Sequence, residues 1–123
     1  MYVAWRWDFT FEILPKMLLA TLNTFMAAGL GYAIAAVVGL LFMLGQRTSY
    51  KFINIPTREI VEFIRSTPLL VQLFFVYFVA PQFGLTLSAW TSAMFTIGLH
   101  YGTYLSEVYR GALQGVPKTQ WEA

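Results

Sequence analysis

The 123 residues include no cysteine. Disulfide frameworks, thiolate metal sites and cysteine nucleophiles are therefore excluded together. A single histidine, His100, leaves no histidine-based metal site or catalytic triad to complete around it with the usual partners. Charge is scarce as well: 11% of the residues are charged, against about 25% in an ordinary soluble domain. No acidic residue lies between Arg65 and Glu107, which argues against a proton-driven carrier, since such carriers embed Asp, Glu or His chains at mid-membrane. No GxxxxGK[ST] loop occurs, so ATP is not bound here in that manner and any nucleotide energy comes from a partner. The net charge of +2 is spread over scattered positions instead of a basic run, giving no footprint for nucleic acid.

What the sequence does have is apolar length. Hydrophobic residues make up 58% of it, mean hydropathy is +0.59, and Met17 to Gln46 and Ser66 to Ser106 are free of charge. About 20 apolar residues cross roughly 30 Å of hydrocarbon, so the first stretch holds one crossing and the second has room for two. The spans are expected at about 17–44, 64–80 and 89–109. Together they make an all-α membrane protein of one domain, with no repeat, linker or separate soluble unit. The first stretch is too long for a cleaved secretory signal, so Met1 is read as the start of the mature chain. Small residues at fourfold spacing, Ala27, Gly31, Ala35 and Gly39 in the first span and Gly98, Gly102 and Ser106 in the third, mark faces that another backbone can approach closely.

Polarity between the spans predicts topology. From Met1 through Lys16, Trp5, Trp7 and Phe9 mix with sparse charges that cancel, Arg6, Asp8, Glu12 and Lys16, as expected at a membrane boundary. Arg47, Lys51, Arg58, Arg110 and Lys118 fall on one side, with Arg65 at the boundary, while only Arg6 and Lys16 fall on the other. Basic loops stay cytoplasmic, so the N-terminus is expected outside. Arg58, Glu59, Glu62 and Arg65 form an amphipathic approach to the second span, with Arg58–Glu62 and Glu62–Arg65 spaced for ion pairing.

Polar groups in mid-span are costly and face a bundle interior or a watery cavity. Gln72, His100, Tyr101 and Tyr104 are therefore the candidates for lining a solute path. The same residues also suit interhelical hydrogen bonds that only hold the bundle together. Glu59, Glu62 and Glu107 each have an arginine within four residues and read as helix-end salt bridges. With neither a nucleophile beside a base nor paired mid-membrane carboxylates, an enzyme is the least supported class. After the third span, Gly115 and Pro117 break the apolar pattern, and Pro117 suits the first turn of a helix beginning near Lys118. That short polar helix is either a docking element or an interfacial anchor.

Three segments carry a resemblance: Glu62-Phe-Ile-Arg-Ser-Thr-Pro-Leu-Leu-Val-Gln-Leu-Phe-Phe-Val-Tyr77, Gly102-Thr-Tyr-Leu-Ser-Glu-Val-Tyr-Arg-Gly111 and Gly115-Val-Pro-Lys-Thr-Gln-Trp-Glu-Ala123. They resemble the membrane subunit of polar amino-acid ABC importers, the permease family serving histidine, glutamine, glutamate, arginine and opines. The resemblance implies five spans per subunit in a bacterial inner membrane, an external N-terminus and no cofactor on this chain. Its implied partners are a second permease subunit, a cytoplasmic ATPase dimer that binds the ATP, and an extracytoplasmic solute-binding protein. It further implies that Glu122 and Ala123 open the EAA motif, so that Gly115, Pro117, Lys118, Trp121, Glu122 and Ala123 belong to the ATPase-coupling segment. Three of the five spans are present, and the downstream Gly and last two spans are missing, so the resemblance implies a C-terminally truncated sequence, either a fragment of a longer gene product or a truncated copy that cannot transport alone. Leu99-His-Tyr-Gly-Thr-Tyr104 departs from the family pattern and resembles permeases for ectoine and hydroxyectoine. The function expected is translocation of a polar amino acid or related zwitterion. The rival from another class is a non-transporting membrane anchor or assembly subunit, whose tail binds no ATPase.

Overall fold

The computed structural model describes residues 4–122. Helix α1 runs from Trp7 to Arg47, α2 from Lys51 to Ser66, α3 from Leu69 to Phe74, α4 from Ala89 to Gln114 and α5 from Lys118 to Trp121. A π-helical turn at Phe75–Val79 and a 3-10 turn at Ala80–Phe83 extend α3. No strand occurs among the described residues.

Burial in this fold is inverted relative to a water-soluble protein. Phe25 is 72% exposed and Leu41 63%, while Ser92, Thr103 and Ser106 are wholly buried. Gln46, Thr96 and His100 are buried too. Polar groups turn inward and large apolar side chains face out, the arrangement demanded when the surrounding solvent is hydrocarbon. The chain is an all-α membrane protein.

Helix α1 is longer than the span expected at 17–44. It begins ten residues earlier because Pro15 falls within it without ending it. At about 1.5 Å per residue its 41 residues reach roughly 60 Å, so it extends well past the hydrocarbon. At its start, the Arg6 guanidinium lies 2.8 Å from Asp8 and holds that carboxyl below the usual carboxylate range. The small-residue row turns inward at Gly31, Ala35 and Gly39, which are buried, with Ala27 half-buried at its start and Met43 continuing it.

The partner of that row is α4. A Cβ built on Gly31 would lie 2.8 Å from Ile97 Cγ2, one on Gly102 2.7 Å from Val38 Cγ1, and one on Gly39 2.9 Å from Leu105 Cβ. Ile34 likewise fills the space over Gly98. Knobs on each helix thus enter gaps left by glycine on the other, and dispersion contacts of this kind hold helices together where lipid offers no hydrophobic drive. Positions on α4 rise as those on α1 rise, so the two helices run parallel. The chain between them must therefore travel back across the bundle.

That return is where the expected second span differs. The stretch 64–80 is divided: α2 and the α3 segment meet at a bend of 103°. Pro68 disfavours the helical conformation in the residue before it, and Thr67 is extended at φ −99°, ψ 133°. Helix α2 consequently stops at Ser66 and α3 starts afresh at Leu69. By apolar length, α1 qualifies as a crossing, and the bent α2–α3 unit qualifies only if taken together. Arg65 and Glu62 stand 3.7 Å apart, whereas Arg58 and Glu62 form no ion pair among the described residues.

Gly84 ends the return at φ +91°, a left-handed conformation that suits glycine. Its N–H reaches Pro81 O at 3.0 Å, and the next N–H, of Leu85, reaches Ala80 O at 3.2 Å, capping the turn. Ser88 then starts α4, its Oγ accepting from the Thr91 N–H at 3.1 Å.

Candidate functional site

The polar residues expected to line a solute path come together at the bend. Gln72 lies on the first turn of α3, facing α4, where His100, Tyr101 and Tyr104 occupy successive positions of one face. The Gln72 amide nitrogen donates to Ile64 O at 2.8 Å and Thr67 O at 3.0 Å. These carbonyls lie at the end of α2 and in the residue that follows it; that of Ile64 also accepts from the Thr67 N–H at 3.3 Å. Gln72 is thus the clasp of the bend, a role that its sequence context did not announce.

With its amide hydrogens turned to carbonyls, Gln72 presents Oε1 to His100 Nδ1 at 3.2 Å. An acceptor there requires a hydrogen on Nδ1, so the network assigns that tautomer and leaves Nε2 as the free ring nitrogen. His100 meets Tyr101 edge to face at 5.2 Å between ring centres and Tyr104 at 5.3 Å. Tyr101 and Tyr104 are 6.3 Å apart and both partly open. The cluster therefore has a buried, hydrogen-bonded side made by Gln72 and His100 and an open aromatic side made by the two tyrosines.

Below His100 the buried face of α4 is a chain of hydrogen bonds. Thr103 Oγ1 donates to His100 O. Ser106 Oγ donates to Thr103 O at 2.6 Å and accepts from Gln46 of α1 at 3.3 Å. Tyr109 Oη donates to Ala36 O at 3.3 Å. Whereas the buried Ser92 hydroxyl nearer the start of α4 has no partner among the described residues, from Thr103 to Tyr109 this face satisfies its own polarity and ties α4 to α1. It explains why α4 is rich in Ser and Thr without being a water-exposed helix.

Arg65 is the residue that sequence reasoning assigned to a boundary salt bridge and nothing more. In the fold its guanidinium carbon lies 5.4 Å from the centre of the Tyr104 ring, and the Tyr104 hydroxyl donates to the Arg65 carbonyl at 3.2 Å. The Arg65 Nε is buried with no hydrogen-bond partner. Proline three residues downstream was the available signal, since a break at Pro68 places residue 65 at an inner corner instead of on a helix surface.

The tail forms a second group. Gly115 closes α4, its N–H reaching both Gly111 O and Ala112 O at 3.2 Å. Pro117 sits just before α5 as its N-cap residue, and Lys118 to Trp121 make a single turn. Trp121 lies beneath the guanidinium of Arg47, 5.2 Å from ring centre to Cζ, and its indole N–H donates to Val116 O at 3.3 Å. Glu122 follows the turn and is exposed, and Ala123 lies outside the described residues. Glu107 pairs with Arg110, whose Nε donates to it at 3.2 Å. Two recesses are present among the described residues, the second of them lined in part by Tyr101 and Tyr104. One of about 430 Å³ is made by the first turns of α1. The other, about 380 Å³, runs between α1 and α4 beside Tyr101 and Tyr104 and is lined almost wholly by carbon.

No family model matches this chain. Among curated proteins it is similar to a probable amino-acid ABC transporter permease protein, y4tG, of Sinorhizobium fredii, with 37% identity covering 100% of this chain and 56% of that protein. The L-cystine transport system permease protein TcyB of Bacillus subtilis is 35% identical, over 76% of this chain and 40% of its own. The glutamine transport system permease protein GlnP of Escherichia coli is 30% identical, over 95% and 54%. A chain in the crystal structure of an amino acid ABC transporter with histidines superposes at a TM-score of 0.89 with 28% identity, over 98% of this chain and 56% of that one. The chain thus spans about half the length of the curated relatives it matches.

Proposed function

From the premise that this chain is homologous over its whole length to amino-acid ABC transporter permeases, which are transport components, we propose that it serves in the translocation of a polar amino acid or related zwitterion. The observation that carries the reading is the Gln72–His100–Tyr101–Tyr104 cluster, set at a helix bend inside a bundle whose outer surface is apolar. Its polar atoms exceed what the bend needs. His100 Nε2 and the Tyr101 hydroxyl remain to meet a solute that has shed its water, while the Tyr104 hydroxyl serves the Arg65 carbonyl, and a bent, locally capped helix is a place where helices can move relative to one another.

In this reading the chain sits in a bacterial inner membrane with its N-terminus outside. It pairs with a second permease subunit, receives solute from an extracytoplasmic binding protein, and is driven by a cytoplasmic ATPase dimer. The segment from Gly115 to Ala123 couples to that ATPase, and the Arg47–Trp121 contact joins the segment to the end of α1. The chemistry on this chain is binding and release. The test is to assemble the permease with its ATPase and binding protein in proteoliposomes and follow labelled glutamine, histidine, cystine and ectoine. ATP-dependent uptake of one of them is the expected result. If the membrane protein copurifies with no ATPase and supports no uptake, the reading fails and a role as membrane anchor takes its place.

A further inference from the structure

We propose that Arg65 is the group in this translocation path that receives the carboxylate of the solute, with Tyr104 as the residue that positions it. The inference rests on the transport reading above and deepens it.

Three features of the fold lead to Arg65. The first is where its charge stands. It lies abreast of Tyr104, ten residues or about 15 Å before the end of α4, and inward of the Glu107–Arg110 pair. No charged residue occurs from Met17 to Gln46 or from Ser66 to Ser106, and this guanidinium lies 5.4 Å from the centre of the Tyr104 ring, at the edge of the polar cluster. A cation placed among uncharged membrane helices is costly unless it has a partner or a task.

The second is how little neutralises it. Glu62 approaches one terminal nitrogen at 3.7 Å, beyond hydrogen-bond length, and its side chain is 71% exposed. Such a pair contributes little. The Nε hydrogen, buried and without an acceptor, receives nothing in return for its lost water. The Arg65 side chain is 34% exposed, and a planar pair of N–H donors matches a carboxylate in two parallel bonds.

The third is how firmly it is held. Tyr104 supports the guanidinium with its ring and grips the same residue's carbonyl with its hydroxyl, while Gln72 fixes the next carbonyls on either side of the bend, those of Ile64 and Thr67. The backbone of Arg65 is therefore tied to α3 and α4 together. A receptor fixed in this way binds without first being ordered. Any movement of α4 against the bend would also shift the Tyr104 support, and with it the hold on the solute.

The experiment compares amino acids with their carboxamides in the assembled importer. The probe is whichever of L-glutamine, L-histidine and L-cystine the parent imports fastest, set against its amide. The binding protein is the same in parent and variant, so its own preference cancels in the comparison. Arg65→Gln should cut uptake of the acid at least about tenfold, as expected for a charge-assisted bidentate contact, and leave uptake of the amide within about twofold of the parent. Arg65→Lys keeps the charge and loses the fork; it should retain preference for the acid with a KM raised several-fold. An unchanged acid-to-amide ratio in Arg65→Gln, with transport intact, overturns the proposal while leaving the transport function standing. Poor assembly of Arg65→Gln combined with a parent-like KM in Arg65→Lys also overturns it, since Arg65 would then be a structural cation. If the parent imports none of the three acids under ATP, the reading on which the inference rests fails with it.

Discussion

The side-chain amide of Gln72 and the imidazole of His100, 28 residues apart in sequence, meet at 3.2 Å across the bend between α2 and α3. Because the other end of the amide serves two backbone carbonyls, one side chain joins the end of α2, the start of α3 and the middle of α4. In the proposed transport reading, solute-contacting polarity and bundle-holding polarity, which are indistinguishable in a sequence, are divided between neighbours. Gln72 has spent its hydrogens on structure, and His100 keeps one nitrogen free.

Gln72→Leu should therefore reduce stability more than transport chemistry alone would suggest. It strips two carbonyls and His100 Nδ1 of a partner, for a cost of about 1–3 kcal/mol. Thermal denaturation of the detergent-solubilised protein is the measurement. A double-mutant cycle with His100→Leu should give a coupling of about 1 kcal/mol between the two. Additive losses would mean that the 3.2 Å contact contributes nothing.

The Tyr104 hydroxyl holds the Arg65 carbonyl and the ring lies under its guanidinium, so two substitutions separate these contributions. Tyr104→Phe keeps the ring and should raise the KM for solute several-fold, in line with loss of one hydrogen bond of about 1 kcal/mol. Tyr104→Leu removes both supports and should raise it further. Equal KM values for the two variants would show that the ring has no part in positioning Arg65.

Much of this fold was legible because the membrane imposes few choices. Charge-free length announced the helices, and the fourfold rows around Gly31 and Gly102 announced the faces that meet. The break at Pro68 was harder to see, because apolar content runs through it without interruption and hydropathy is blind to direction. The same blindness hid Arg65. Spacing alone pairs it with Glu62, and only the 103° bend turns it toward Tyr104. Gln46 was unreadable for a related reason: its partner Ser106 lies 60 positions away, and nothing local distinguishes it from a solvated helix end.

The parallel packing of α1 and α4 makes a sharp prediction about glycine. Gly39→Ala would bring a methyl to 3.0 Å from Gly102 O and 3.2 Å from Ser106 N, both backbone atoms that cannot turn aside. Overpacking of this kind costs about 1–3 kcal/mol. Gly29→Ala meets nothing within 4 Å and should leave stability unchanged or raise it by up to about 1 kcal/mol. Melting temperatures of the two variants should move in opposite directions or differ strongly. A pair of equal shifts would refute the close contact of α1 with α4.

Parallel α1 and α4 also place the 48–50 connection and the 84–88 turn on opposite sides of the bundle. Cysteines introduced at Ser49 and Thr86 should therefore react with a membrane-impermeant thiol reagent from opposite sides, with no native thiol to confuse the result. In the proposed orientation, with Arg47, Lys51 and Arg58 on the cytoplasmic side, Thr86→Cys should label in intact cells and Ser49→Cys only after lysis. The reverse pattern would invert the proposed orientation, and labelling of both from one side would remove the return crossing.

The tail offers the test that separates coupling from anchoring. Arg47 closes over Trp121, joining the last residue of α1 to the turn after Pro117, yet Trp121 remains 52% exposed. At an exposed site such a contact contributes about 0.5–1 kcal/mol, enough to bias the tail's position but too little to hold the fold. Trp121→Ala and Arg47→Gln should thus leave melting nearly unchanged while lowering solute-stimulated ATP hydrolysis in the assembled importer by several-fold. The double variant should be little worse than either single one, because both remove the same contact. Glu122→Lys reverses an exposed charge and should alter stability by no more than about 0.5 kcal/mol, so a fall in ATPase association would report on docking itself. If all three variants hydrolyse ATP and transport like the parent, the tail does not couple. Removal of residues 118–123 would then decide whether it docks at all: an ATPase that stays bound and coupled without them leaves the tail no role beyond holding the chain at the membrane surface.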